Sequence, residues 1–212
     1  MSIADKIKNF FFPNRCPFCN KVIEEKEIVC KDCISKFPIN YFDGFAIGGF
    51  RCISPFYYEG DFRKGMLNFK FNDKKYFGKS MGILMVDTIK KSYGDLHFDI
   101  ITAVPLHNKR LKERGYNQSE ILARTIAEEL NIPYTETLFK HKNNKVQHTL
   151  KGKDRMNNVK NAYKVIDKSL IKDKNILIVD DIITTGCTIG ECAKTLFKGG
   201  CNTVCCCTLC KA

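Results

Sequence analysis

The chain has 212 residues, a formal charge of +12 and a pI near 9.1, and 44% of its residues are hydrophobic, 16 of the side chains being Phe. That is enough apolar surface for one main domain of about 160 residues beside a small module, and it excludes intrinsic disorder. The positive balance favours an anionic partner, either phosphates or a nucleic-acid backbone, and does not separate the two. No apolar run approaches the ~18 residues that a membrane span needs, and the N-terminus has too short an apolar core and no cleavage pattern for a signal peptide. Of twelve cysteines, four stand in two CxxC pairs, while Cys201, Cys205, Cys206, Cys207 and Cys210 crowd one C-terminal segment. This placement favours a reducing cytoplasm over secretion.

In chain order, Ile3, Ile7, Phe10 and Phe11 fall at helical spacing, which predicts a short amphipathic helix over 2–12 ended by Pro13. Docking on the body of the protein is the simpler use for it than membrane contact. Next come Cys16-Pro-Phe-Cys19 and, after ten intervening residues, Cys30-Lys-Asp-Cys33. Four thiolates at this spacing suit a tetrahedral structural zinc, whose affinity folds a segment too small for its own core. Two disulfides or a redox motif are the alternatives, and no βαβ pattern surrounds either pair. The domain boundary is expected at 45/46, with residues 1–45 as helix and zinc finger and 46–212 as an α/β domain.

Phe50–Tyr58 reads as a strand, Asp61–Phe71 and Tyr76–Lys91 as helices, and Phe98–Val104 as a buried strand ended by Pro105. Five potential cations in eight residues follow, from His107 through Lys109, Arg110 and Lys112 to Arg114. Such a cluster at a strand end fits a pyrophosphate, which Arg binds bidentately; a solvated basic helix start is the plain alternative. Gln118–Leu130 is the clearest helix, with Ile121, Leu122, Thr125, Ile126 and Leu130 on one face. Residues 140–160 are polar, basic and aperiodic, which predicts a long exposed loop, and long loops in compact domains are usually functional.

The sharpest signal is Ile176-Leu-Ile-Val-Asp-Asp-Ile-Ile-Thr-Thr-Gly-Cys-Thr188. A buried parallel strand over Ile176–Val179 is expected to stop at Asp180 and Asp181, and a hydroxyl-rich glycine turn then leads into a helix over Ile189–Phe197. Such a turn is an anion site, and acids beside it make sense if the ligand also carries hydroxyls or a divalent cation. A sugar phosphate supplies both. A strand over Thr203–Leu209 closes the chain. Strands alternating with helices predict a doubly wound, mostly parallel sheet, whose ligands sit at the carboxyl ends of the strands. A nucleotide-binding P-loop is excluded, because no Lys follows a Gly at the required spacing.

This run resembles the phosphoribosyl pyrophosphate (PRPP) signature of type I phosphoribosyltransferases. The resemblance implies that Asp180 and Asp181 hold the ribose hydroxyls, that Thr184, Thr185, Gly186, Cys187 and Thr188 wrap the 5′-phosphate, and that Mg²⁺ accompanies the pyrophosphate. Pro105, Leu106, His107, Arg110 and Arg114 would form the pyrophosphate loop. Gln147-His-Thr-Leu150, Arg155, Asn158-Val159 and Ala162-Tyr163 stand in a similar fixed order, as do Tyr58-Glu-Gly-Asp61, Lys70-Phe-Asn-Asp73 and Gly115-Tyr-Asn-Gln118. With the paired CxxC module they resemble the ComF family of competence-associated proteins from Cys16 to about Leu209. That family joins an N-terminal zinc finger to a type I phosphoribosyltransferase fold. It is implicated in natural transformation, where single-stranded DNA enters the cytoplasm near a helicase partner. Gln147, Arg155 and Asn158 would belong to a flexible loop closing over the site. Two departures stand out: Cys187 replaces a small residue such as Ala, and Lys31-Asp32 replaces the more usual Pro or Gly of the second knuckle. The alternative to catalysis is a PRPP-sensing or single-stranded-DNA-binding scaffold, with Lys140, Lys142, Lys145, Lys151, Lys153, Arg155 and Lys160 tracking a backbone.

Overall fold

Four parallel strands carry the architecture, and the chain's last strand lies at their centre. In the computed structural model, which describes residues 13–24, 26–37, 41–71, 77–142 and 152–212, the strands are β1 (Phe42–Ala46), β2 (Phe50–Ser54), β3 (Phe56–Tyr57), β4 (Ile100–Ala103), β5 (Leu138–Lys140), β6 (Tyr163–Val165), β7 (Asn175–Ile183) and β8 (Thr203–Lys211). The main sheet runs β1-β2-β8-β7-β4, with β3 also pairing β8. β1 and β2 form an antiparallel hairpin, while β2–β8, β8–β7 and β7–β4 are parallel. β5 and β6 form a separate two-stranded antiparallel hairpin. The doubly wound, mostly parallel sheet is as the sequence pattern predicts.

The helices are α1 (Lys31–Ile34), α2 (Gly60–Phe71), α3 (Phe77–Tyr93), α4 (Asn108–Arg114), α5 (Gln118–Leu130), α6 (Gly152–Val159) and α7 (Cys187–Gly199). The sheet separates two cores because successive side chains of its buried strands point to opposite faces. Leu177 and Val179 of β7 meet Met81, Met85, Leu122 and Ile126 of α3 and α5 on one side. Ile176 and Ile178 meet Ile189, Cys192, Ala193 and Leu196 of α7 on the other. Cys205, Cys206, Cys207 and Cys210 of β8 are buried free thiols, with Cys206 paired in register to Cys52 of β2. Burial holds the Cys207 thiol well above the usual range, and these residues act as small hydrophobes.

The four-cysteine module is fastened to this body by aromatic rings. Phe18 and Phe37 pack on Phe62 of α2 and Phe56 of β3, with centroid separations of 5.1 Å for Phe18–Phe62, 4.8 Å for Phe37–Phe56 and 4.3 Å for Phe56–Phe62. Each such pair adds about 0.5–1.5 kcal/mol beyond its buried area. The main sheet begins at Phe42, so position 45/46 falls inside β1.

Several sequence expectations are corrected. The stretch expected as one strand over Phe50–Tyr58 is two, β2 and β3, broken at Pro55. β7 does not stop at the acid pair but runs through Asp180 and Asp181 to Ile183. The reason is local satisfaction: Asp180 Oδ1 accepts from Ser119 Oγ at 2.7 Å and from the Asp181 N–H at 2.9 Å, so a buried carboxylate is tolerated in a strand. The region 140–160 is not all loop. Residues 152–159 form α6, whose Val159 is buried beside α7, and two apolar residues in eight gave too weak a period to read. The helix expected over 2–12, together with Asp73, Lys145, Gln147 and Lys151, lies outside the described residues. Among the described residues no helix is long and apolar enough to cross a membrane.

Candidate functional site at the carboxyl ends of β4 and β7

Two neighbouring parallel strands deliver the two polar constellations to one sheet edge. Ala103 pairs in register with Val179, and the Val104 N–H donates to the Val179 carbonyl at 2.9 Å. Beyond these residues, Pro105–His107 leads into α4, while Asp180–Gly186 leads into α7. The start of α5 clamps the two together. Asn117 Nδ2 donates to the Val104 carbonyl at 3.1 Å, and two residues on Ser119 Oγ donates to Asp180. Asn117, Gln118 and Ser119 are all buried, and among the described atoms Asn117 Oδ1 and Gln118 Nε2 find no hydrogen-bond partner. Such orphaned groups cost stability, so their persistence marks a polar edge built for something other than packing.

On the β4 side, Pro105, Leu106 and His107 are half-buried, and His107 caps α4, its Nδ1 accepting from the Lys109 N–H at 3.2 Å. Arg114 ends the helix and donates from Nη1 to Gln118 Oε1 at 2.8 Å, which holds it against α5. Arg110 is half-buried and lies in one electrostatic neighbourhood with Asp180 and Lys140. Lys140, at the end of β5, has its ammonium 5.3 Å from the Tyr163 ring centroid. Burial and then the Arg110 charge lower its pKa, and Asp180 partly offsets them. The sequence offers Lys140 for backbone tracking only under the nucleic-acid alternative; in the fold it lies in the electrostatic neighbourhood of Arg110 and Asp180.

On the β7 side, Asp180 is buried, Asp181 and Thr188 are half-buried, and Thr184 and Thr185 are exposed. Thr185 Oγ1 donates to Cys187 Sγ at 3.0 Å, so the buried Cys187 thiol faces into the turn. Gly186 is the N-cap of α7 at φ +74 and brings no capping side chain, so the N–H groups of the first turn point at the space the turn encloses. The conformation excludes a side chain, and so does the space: a Cβ on Gly186 would lie 2.9 Å from Ala46 Cα. Gly190 is more constrained still, with a Cβ 2.1 Å from the Ile47 carbonyl oxygen. The β1–β2 turn thus presses directly on the start of α7. Gly190→Ala is expected to lower stability by about 1–3 kcal/mol, because backbone and not a flexible side chain must move; a chemical-denaturation midpoint equal to wild type would contradict this packing. Of the loop residues, Asn158 is half-buried on α6, and Arg155 is on the same helix with its side chain outside the described set.

The cysteine module is a second, separate site. The Sγ atoms of Cys16, Cys19, Cys30 and Cys33 lie within 4.8 Å of one another, and Cys19 and Cys30 Sγ are 3.5 Å apart. Burial raises the Cys16 thiol, but hydrogen bonds from the backbone of Cys19, Cys30 and Phe18 outweigh it and bring it down to about 7. A convergent set of soft donors with one already poised to ionise fits tetrahedral zinc, and no cysteine pair is joined as a disulfide.

Comparison with known proteins agrees with both halves. The phosphoribosyl transferase domain family matches residues 117–212 and the double zinc ribbon domain family matches residues 7–41, together more than half of the chain. Competence protein F of Haemophilus influenzae is 33% identical over 62% of this chain and 60% of its own length, so the match spans less than two thirds of that relative. DNA utilization protein YhgH of Salmonella typhimurium is 27% identical over 89% of this chain and 80% of its own, and competence protein ComFC of Bacillus subtilis 26% over 87% and 72%. Among solved structures, adenine phosphoribosyltransferase of Saccharomyces cerevisiae covers 86% of this chain and 90% of its own at 12% identity, with a TM-score of 0.45. The double zinc ribbon match and the four converging thiols support a structural zinc, and with a type I phosphoribosyltransferase fold behind it the chain belongs to the ComF family.

Proposed function

We propose that the chain binds PRPP with Mg²⁺ at the β4/β7 edge and transfers its ribosyl group to a nucleophilic acceptor, whose bond to the anomeric carbon forms as the bond to pyrophosphate breaks. One observation carries the reading: a buried, hydrogen-bonded Asp180 and its neighbour Asp181 lead directly into a glycine turn at a helix N-terminus, with Arg110 and Lys140 in the electrostatic neighbourhood of Asp180. In this reading the two carboxylates hold the ribose hydroxyls, and Ser119 fixes the orientation of Asp180. Thr184, Thr185, Gly186, Cys187 and Thr188 wrap the 5′-phosphate, and the 105–107 turn with Arg110 and Arg114 receives the pyrophosphate. Mg²⁺, bound with the substrate through oxygen ligands, supplies charge neutralisation on the leaving group. The protein's own work is positioning and electrostatic stabilisation of a cation-like ribose carbon. A two-part organisation, with a zinc module ahead of β1 and a transferase domain from Phe42 on, belongs to the same reading.

Relatives named for competence and DNA utilization support a place in DNA uptake, in the cytoplasm, where single-stranded DNA and a helicase are the partners to test. The experiment is pyrophosphate release from PRPP with Mg²⁺ and a panel of purine, pyrimidine and amine acceptors. Acceptor-dependent release by wild type, absent from an Asp180→Asn/Asp181→Asn variant, is the expected result. Saturable PRPP binding without release under any acceptor would favour the sensing scaffold instead.

A further inference from the structure

The β5–β6 hairpin and the outer face of α7 border an open groove of about 550 Å³ that none of the strand-end site residues described above, Tyr163 apart, helps to line. Its wall is cationic. Lys142 follows β5, Lys164 lies on β6, Lys168 opens the short 3₁₀ helix Lys168–Leu170, Lys194 and Lys198 stand one turn apart on α7, and His141 adds a sixth basic group. Glu191 is the one acid among the lining residues, and its Oε1 already accepts from the Asn161 N–H at 2.7 Å. Among the described residues, none of the five lysines forms an ion pair.

Five like charges that line one groove from four separate segments favour an anionic occupant there. The volume lies within the ordinary range for small-molecule sites, and Tyr163, Val165 and Ile166 add an apolar floor. We propose that this groove binds a small polyphosphorylated ligand, a nucleoside triphosphate in chemical class, with its phosphates among Lys142, Lys164, Lys194 and Lys198 and its base on the apolar floor. The hairpin that ends in Lys140 and the helix that begins at Cys187 are the two walls, so occupancy braces both against each other. The proposal does not depend on PRPP binding at the strand ends.

The test is calorimetric titration of ATP, and separately of inorganic tripolyphosphate, into the full chain at physiological salt without Mg²⁺. One saturable site is expected for each. Lys164→Gln/Lys194→Gln, which removes one exposed charge from each wall, is expected to weaken both by about tenfold with an unchanged melting temperature. Lys142→Gln/Lys198→Gln carries the same expectation and guards against a folding defect in the first variant. Asp180→Asn/Asp181→Asn is expected to bind ATP as wild type does. Three results would overturn the proposal: wild-type affinity in both lysine variants, loss of ATP binding in the aspartate variant, or binding of a single-stranded oligonucleotide with no binding of ATP or tripolyphosphate.

Discussion

Under the proposed function, Asp180→Asn/Asp181→Asn is expected to lower the affinity for Mg²⁺·PRPP by at least about 100-fold while leaving the fold intact. Two charge-assisted contacts to the ribose hydroxyls at about 1.5–3 kcal/mol each account for a loss of that size. Asn is the right replacement because Asp180 is part of the structure as well as of the site. Its Oδ1 accepts from Ser119 Oγ at 2.7 Å and from the Asp181 N–H at 2.9 Å, and an amide oxygen of the same shape keeps both bonds. Ala would strand the buried Ser119 hydroxyl, and its melting temperature would fall for reasons unrelated to ligand. Ser119→Ala separates the two roles from the other side. It keeps both carboxylates but removes one of the hydrogen bonds that orient Asp180, so a loss of about tenfold in affinity is expected, well short of the double variant. Fluorescence competition or calorimetry at matched Mg²⁺ reads these differences, and equal affinities for all three proteins would remove the acid pair from the binding site.

Removing zinc has the largest expected effect on stability. The segment 13–37 has few apolar residues of its own, and metal binding supplies apparent free energies of about 10–16 kcal/mol to folding units of this kind. Chelation, or Cys30→Ser, is expected to unfold the ribbon and release Phe18 and Phe37 from Phe56 and Phe62. Losing that aromatic cluster costs the main domain about 2–4 kcal/mol, so its melting temperature falls too. Limited proteolysis should then cut within 13–37 first and leave a resistant fragment starting near Phe42. Metal analysis of the native protein should give one zinc per chain. A zinc-free protein with an unchanged melting profile would contradict the assignment of the four-cysteine cluster.

The elements that were legible in the sequence are those whose signal is local. The continuous apolar run of β7, the 3.6-residue period of α5 and the CxxC spacing each declare themselves within a dozen residues. What stayed hidden depends on partners far along the chain. That β7 continues through Asp180 rests on Ser119, 61 residues away. That Gly190 must be glycine rests on the Ile47 carbonyl, which a hairpin from the other end of the sequence delivers. β5 and β6 have three residues each, too few to show an alternation, so Lys140 read as one more solvated cation instead of a neighbour of Asp180 and Arg110. The polar residues of the β7–α7 turn stand out because their types are unusual beside a buried strand; the residues that hold that turn in place do not, because packing alone selects them.

The measurement that tests the account most directly is calorimetric titration of PRPP into zinc-loaded wild-type protein, with and without Mg²⁺. The account predicts saturable one-to-one binding that requires Mg²⁺ and disappears in Asp180→Asn/Asp181→Asn. No binding by correctly folded, zinc-loaded protein at millimolar PRPP would contradict it, and would leave the sheet edge at β4 and β7 as a scaffold for some other partner.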